Sequence, residues 1–142
     1  MIAFVDTSVL AKRYLSEVGS DRARALFRGH RPIAVSRLAF AELSAAVARA
    51  CREGLITTPQ RDVVIKRLPG DFNEWIVVEP RRAVIERAAE LVLTHPLRAY
   101  DALQLASCQT LSARGGAVEL WSADLGLSEA GRREGFKVVP FR

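Results

Sequence analysis

Four acidic residues stand where a chain of alternating strands and helices can bring distant side chains together. Asp6 closes the apolar run Ile2-Ala3-Phe4-Val5, Glu42 lies inside an alanine-rich segment, Asp101 follows Arg98-Ala99-Tyr100, and Asp124 comes just after Val118-Glu119-Leu120-Trp121. Carboxylates are hard oxygen donors, and a pocket lined by several of them suits Mg2+ or Mn2+. A divalent ion held there can activate water and stabilise the departing oxygen of a phosphodiester. Without a cation the same charges repel and raise one another's pKa values. Thr7, Ser8 and Ser122 add hydroxyls beside two of these positions, placed to orient an aspartate or a metal-bound water.

Each of these residues also has a plainer reading. Asp6 and Asp124 follow strands, where aspartate is a preferred helix N-cap, and the neighbouring hydroxyls cap helices equally well. Asp101 near a helix start interacts favourably with the helix dipole. One and two turns further on, however, its face carries Leu105 and Cys108, so its side chain is directed inward. Glu42 lies off the Phe40, Leu43, Val47 stripe and reads first as a solvated side chain. Its small neighbours Ala39, Ala41, Ala45 and Ala46 let another backbone approach and leave room for a cleft.

The elements that must position these groups follow from pattern. Ile2–Val5, Pro32-Ile33-Ala34-Val35, Trp75-Ile76-Val77-Val78, Val118–Trp121 and Lys137-Val138-Val139 are short apolar runs of the kind that form strands buried on both faces. Helices are expected between them. Thr7 and Ser8 cap one through Leu15, Gly19-Ser20-Asp21 starts another, and Ser36 caps a long one to about Glu53, ended by Gly54. Thr58-Pro59 opens a helix that breaks at Pro69-Gly70. Val84, Ile85, Ala88, Leu91 and Val92 recur at helical spacing up to His95-Pro96, and a further helix runs from Ala99 to Arg114. The alternation predicts an α/β fold, with a mainly parallel sheet of about four to five strands flanked by helices in one domain, residues 1–142. In such sheets ligands bind beyond the carboxyl ends of the strands, which is where Asp6 and Asp124 fall.

Composition narrows the partner. The net charge is +5, and of 21 basic residues only Lys12, Lys66 and Lys137 are lysines, leaving 18 arginines. Arginine's planar fork pairs bidentately with phosphate, so nucleic acid is the natural polyanion, with Arg13, Arg49 and Arg98 as candidate phosphate contacts. The apolar start ends at Asp6, short of a secretory segment, and no run approaches membrane-span length, so a soluble, cytoplasmic protein without membrane association is expected. Cys51 and Cys108 lack disulfide or zinc spacing and read as buried thiols, while His30 and His95 read as surface residues. Gly126 and Gly131 have phosphate-loop spacing, but Arg132-Arg133 follow where Lys and Ser or Thr are needed, which excludes a nucleotide-binding loop.

The segments Phe4-Val5-Asp6-Thr7-Ser8-Val9-Leu10, Ala39-Phe40-Ala41-Glu42-Leu43, Tyr100-Asp101-Ala102-Leu103-Gln104-Leu105-Ala106 and Trp121-Ser122-Ala123-Asp124 occur in this order along the chain. In them the whole chain resembles the PIN-domain family, and within it the VapC-type toxins of type II toxin–antitoxin pairs. The resemblance implies a Mg2+- or Mn2+-dependent endoribonuclease with Asp6, Glu42, Asp101 and Asp124 as its catalytic, metal-binding acids, Asp6 and Asp101 foremost. It further implies a homodimer and a cognate antitoxin that occludes the acidic pocket. Ser122 stands where the family often has threonine. Two other readings belong to different classes: a non-catalytic PIN-like module that binds RNA or a partner, and a phosphoacceptor domain using Asp6. The latter lacks an acidic pair before Asp6. The apolar stripe from Val84 to Val92 can pack inside the monomer or against a second copy.

Overall fold

The computed structural model describes residues 1–141. Its elements, in chain order, are β1 (Ile2–Val5), α1 (Thr7–Tyr14), α2 (Ser20–Arg28), β2 (Ile33–Ser36), α3 (Ala39–Arg52), α4 (Thr58–Asn73), β3 (Ile76–Val78), α5 (Arg82–Thr94), α6 (Ala99–Ala113), β4 (Val118–Ser122), α7 (Leu125–Arg133) and β5 (Lys137–Pro140). The five strands form one sheet in the order β3-β2-β1-β4-β5, and every pairing is parallel. This is the expected α/β architecture at the upper end of the expected strand number.

Side chains alternate across the sheet, so the central strand β1 feeds two cores. Ala3 and Val5 point to one face, where they meet Val9 and Leu10 of α1, Leu43 and Val47 of α3, and Leu68 and Phe72 of α4. Phe4 points to the other, against Leu91 of α5, Leu105 of α6 and Leu127 of α7. Helices α1 to α4 therefore cover one face and α5 to α7 the other. Helix α7 lies close on the sheet because Gly131 has no side chain: a Cβ there would come within 2.7 Å of Leu120 Cδ2 in β4.

The connection sets the site. From β1 the chain moves outward through β2 to β3, then returns to place β4 on the other side of β1. The carboxyl ends of β1 and β4 thus flank the point where strand order reverses, the crevice in which open parallel sheets bind ligands.

Several expectations need correction. Asp6, not Thr7 or Ser8, caps α1, and Ser36 is the last residue of β2, with α3 beginning at Ala39. Thr57 rather than Thr58 caps α4, through a reciprocal box with Gln60. That helix continues through Pro69 to Asn73. An interior proline costs about 3 kcal/mol. Leu68 and Phe72 on either side of it are buried, each stabilising the helix by roughly 1.5–3 kcal/mol, and Phe72 meets Phe40 edge-on and Trp75 at a tilt while Pro69 faces water. Packing outweighs the local signal.

His95 is buried, against the expectation of a surface residue. Its Nε2 lies 3.0 Å from Glu134 Oε2, and Glu134 also accepts from Arg87 at 2.7 Å and Gln109 at 3.0 Å. These donors hold the Glu134 carboxyl below its ordinary range, the His95 contact most of all. Cys108 is buried as expected and its thiol is pushed up to about 12 by burial, whereas Cys51 is only half-buried. No helix among the described residues is long and apolar enough to cross a membrane.

Candidate active site

Asp6 leaves β1 in an extended conformation, and its backbone amide bonds the Trp121 carbonyl of β4 at 3.1 Å. The side chain turns back under α1 and is only 3% exposed. Oδ1 accepts from the Val9 amide at 3.1 Å and from the Ser8 hydroxyl at 2.6 Å, and Oδ2 accepts from the Ser122 hydroxyl. Both serines are themselves held from behind. The Ala123 amide donates to Ser8 Oγ at 2.9 Å, and the Asp124 amide donates to Ser122 Oγ at 3.0 Å. Two relays, each from backbone amide through hydroxyl to carboxylate, therefore latch the turn after β4 onto the start of α1.

That turn delivers Asp124 as N-cap of α7, where its Oδ1 accepts from the Leu127 amide at 2.8 Å. Asp101 projects from the first turn of α6, next to the capping residue Arg98. Glu42, in the first turn of α3, is neither free nor fully solvated: Thr7 Oγ1 donates to it at 3.0 Å and Gln104 Nε2 at 3.1 Å. Gln104 also donates to Thr7 at 3.0 Å, so one buried amide ties α1, α3 and α6 together.

The four carboxylates meet around one cavity of about 290 Å3, whose walls include Thr7, Ser8 and Gln104. Their electrostatics record the gathering. Burial raises Asp6 to about 6, against its serine and backbone donors, and the Asp124 charge adds to the rise. Burial likewise raises Asp101, with Asp124 as the next cause, and raises Glu42, with Asp101 contributing. A cation among these oxygens relieves both the repulsion and the desolvation. Among the described residues no three acidic, histidine or cysteine side chains form a ready-made chelating group. The donor set nevertheless fits a hard ion, because Mg2+ keeps several waters and uses one or two carboxylates directly. By contrast, a groove of about 590 Å3 beside α1 and α4 is lined mainly by apolar groups such as Leu15, Leu55, Ile56 and Val63 and gathers no such cluster.

The arginines expected to contact phosphate part ways. Arg13 is folded into the protein, its guanidinium 4.8 Å from the Phe27 ring centroid and 3.8 Å from Asp71, and Arg49 pairs with Glu53 at 2.9 Å. Neither lines the acidic cavity. Only Arg98 stands at its edge, on an adjoining cavity shared with Glu42, Asp101 and Asp124. Arg13 was misread because its aromatic partner Phe27 and its acidic partner Asp71 lie on other helices, a placement that local sequence does not contain. Gln104 was missed as a site residue. Its signal was a polar side chain one turn after Asp101, beside the apolar inward positions Leu105 and Cys108.

A family profile described as PIN domain matches residues 3–132. The chain belongs to the PIN-domain family. Ribonuclease VapC45 of Mycobacterium tuberculosis (strain CDC 1551 / Oshkosh) is 32% identical over 143 residues, spanning 98% of this chain and 95% of that protein. The crystal structure of Mycobacterium tuberculosis VapC20, a sarcin–ricin loop cleaving toxin, shares the PIN fold at a TM-score of 0.70 with 20% identity, covering 91% of this chain and 95% of that one. A toxin–antitoxin complex from Klebsiella pneumoniae matches at a TM-score of 0.63 with 17% identity over 86% of each chain. At these identities the two structures bear on fold alone; the family rests on the PIN profile and the VapC45 match.

Proposed function

We propose that this chain is a VapC-type endoribonuclease, the toxin of a toxin–antitoxin pair, which hydrolyses RNA phosphodiesters in the acidic cavity. The observation that carries this reading is the convergence of Asp6, Glu42, Asp101 and Asp124 from the N-caps or first turns of four separate helices on one cavity, within a chain of net charge +5. The 32% identity to a ribonuclease over nearly the full length supports it.

Asp6 and Asp101 would be the principal ligands of Mg2+ or Mn2+, with Glu42 and Asp124 completing the acidic set. Bound there, the ion would supply charge neutralisation at the phosphate and would ease deprotonation of a water nucleophile at neutral pH. The remaining work belongs to the chain. Ser8 and Ser122 hold both Asp6 oxygens in fixed directions, Thr7 and Gln104 aim Glu42 at the cavity, and Arg98 offers its fork to a phosphate at the rim. An antitoxin is the expected protein partner.

The test is incubation of the purified protein with cellular RNA, with Mg2+ or Mn2+ and with EDTA. Cleavage in divalent ion that stops in EDTA is expected. Equal cleavage in EDTA defeats the mechanism, and RNA binding without turnover in any divalent ion makes the chain a non-catalytic module.

A homodimer is part of the same reading. The stripe on α5 divides: Val84, Ala88 and Leu91 enter the core, while Ile85, Val92 and Leu93 are left exposed. Ile85 and Val92 lie seven positions apart, on one face of the helix. Sedimentation of Ile85→Asp/Val92→Asp is expected to give monomer where the parent gives dimer. A monomeric parent at micromolar concentration would end this idea.

A further inference from the structure

Resting on the ribonuclease reading, we infer that the rim of the acidic cavity is a subsite for one unstacked nucleobase and its phosphate, with Tyr100 as the stacking platform and Arg98 as the phosphate contact. The second cavity, of about 550 Å3, shares Glu42, Asp101 and Asp124 with the first and is completed by Leu97, Arg98 and Tyr100. A strand whose phosphate sits among the carboxylates therefore places its neighbouring nucleotide here without leaving the protein surface.

The rim side chains are chemically suited and uncommitted. Of the two tyrosines, Tyr14 is held by Asp71 and lies under Arg13 and Arg67. Tyr100 is 51% exposed, and among the described residues its ring pairs with no other ring and its hydroxyl with no partner. Burying half a tyrosine ring under a base recovers apolar contact that water now occupies. Arg98 is exposed two residues before it and makes no ion pair among the described residues, unlike Arg37, Arg49, Arg82 and Arg87. Its charge stands beside Asp101, in a pocket whose other charged side chains are all acidic and which needs an attraction for phosphate. Leu97, packed against the core, gives an apolar floor, and Gly126 lines the wall beside Asp124. Unpaired bases are stacked on aromatic rings in this way, whereas the bases of a duplex are stacked on one another and leave no face free for a ring.

The experiment compares Asp6→Asn, Asp6→Asn/Tyr100→Phe and Asp6→Asn/Tyr100→Ala, so that no probe is consumed. The probes are a single-stranded oligoribonucleotide carrying 2-aminopurine and a paired RNA duplex of the same length. The alanine variant is expected to bind the single strand about tenfold more weakly and to lose the fluorescence quenching that stacking produces. The phenylalanine variant should match its parent, and the duplex should be indifferent to position 100. Equal affinity and quenching in the alanine variant, or an equal loss for duplex, overturns the subsite. Tyr100→Ala in the otherwise unaltered chain separates this from the ribonuclease reading. Cleavage with a raised KM supports the subsite, and cleavage at unchanged KM removes it while the nuclease stands. If the parent never cleaves RNA yet quenching still depends on Tyr100, the subsite stands and the nuclease does not.

Discussion

Asp6→Asn is expected to abolish RNA cleavage without unfolding the protein. Its carboxylate is the buried centre of the site, receiving three hydrogen bonds and facing the cavity shared with the other three acids. Losing a group that only supports a metal ligand costs 10–100-fold, so losing a principal ligand should cost more than about 100-fold. Stability should move little, and for a calculable reason. Burial raises the folded-state pKa of Asp6 from 3.8 to about 6. A carboxyl shifted upward favours the native state in its protonated form. Its contribution is fully present below the unfolded value and is lost as pH rises through the folded one. Near neutral pH the ionised wild type has lost it, a cost of order 3 kcal/mol at most. Asparagine carries no charge and avoids that cost, and it ranks with aspartate as an N-cap. Against this, hydrogen bonds to a charged acceptor are worth about 1.5–3 kcal/mol, and some are weakened. The two effects nearly cancel, so in metal-free buffer the variant should melt within a few degrees of wild type. Cleavage assays and thermal melts check both halves. Retained cleavage would remove Asp6 from the mechanism, and a collapsed melt would leave its role to Asp101→Asn.

The sequence carried most of the framework because the framework is local. Five apolar runs of three to five residues are strands in the structure, and the helices between them are where periodicity put them. The acidic residues were legible for the same reason: Asp6 and Asp124 end strand connections, and strand ends on one side of a parallel sheet share a rim. What local pattern could not carry was commitment to partners. His95 is buried against Glu134, the residue that ends α7, which Arg87 of α5 and Gln109 of α6 hold from behind. Arg13 is held by Phe27 and Asp71, so it does not reach the cavity. Glu42 was a site candidate through its small neighbours and the family resemblance, although its local pattern reads first as solvated, because nothing near it in sequence reveals Thr7 and Gln104. Pro69 read as a stop because proline's local cost is visible in sequence, whereas the burial of Leu68 and Phe72 is a property of the fold. In each case the misreading traces to a long-range contact that outweighs a local preference.

Those long-range contacts lead to the second large effect, a divalent-ion stabilisation that depends on pH. In metal-free buffer Asp6, Glu42 and Asp101 are all raised by burial, with Asp124 adding to Asp6 and Asp101, and Asp101 adding to Glu42. The sign is the same for all three: native stability should fall as pH climbs from the ordinary carboxylate range through about 6, as the crowded acids ionise. Mg2+ or Mn2+ binds the ionised native cluster and not the unfolded chain, so it should reverse that fall. At a hundredfold excess over Kd the gain is about 2.7 kcal/mol. For a chain of this size that moves Tm by on the order of 10 °C. Below about 6 the protonated Asp6 no longer offers a ligand, and the ion's effect should fade. Melts across this pH range, with and without the ion, in the wild type and in Asp6→Asn/Asp101→Asn, measure this directly. A wild-type Tm indifferent to divalent ions at neutral pH, or an equal shift in the double variant, would mean that the cavity's carboxylates do not hold the cation. Because this measurement uses no RNA, it separates a site that cannot bind metal from one that binds metal but meets the wrong substrate.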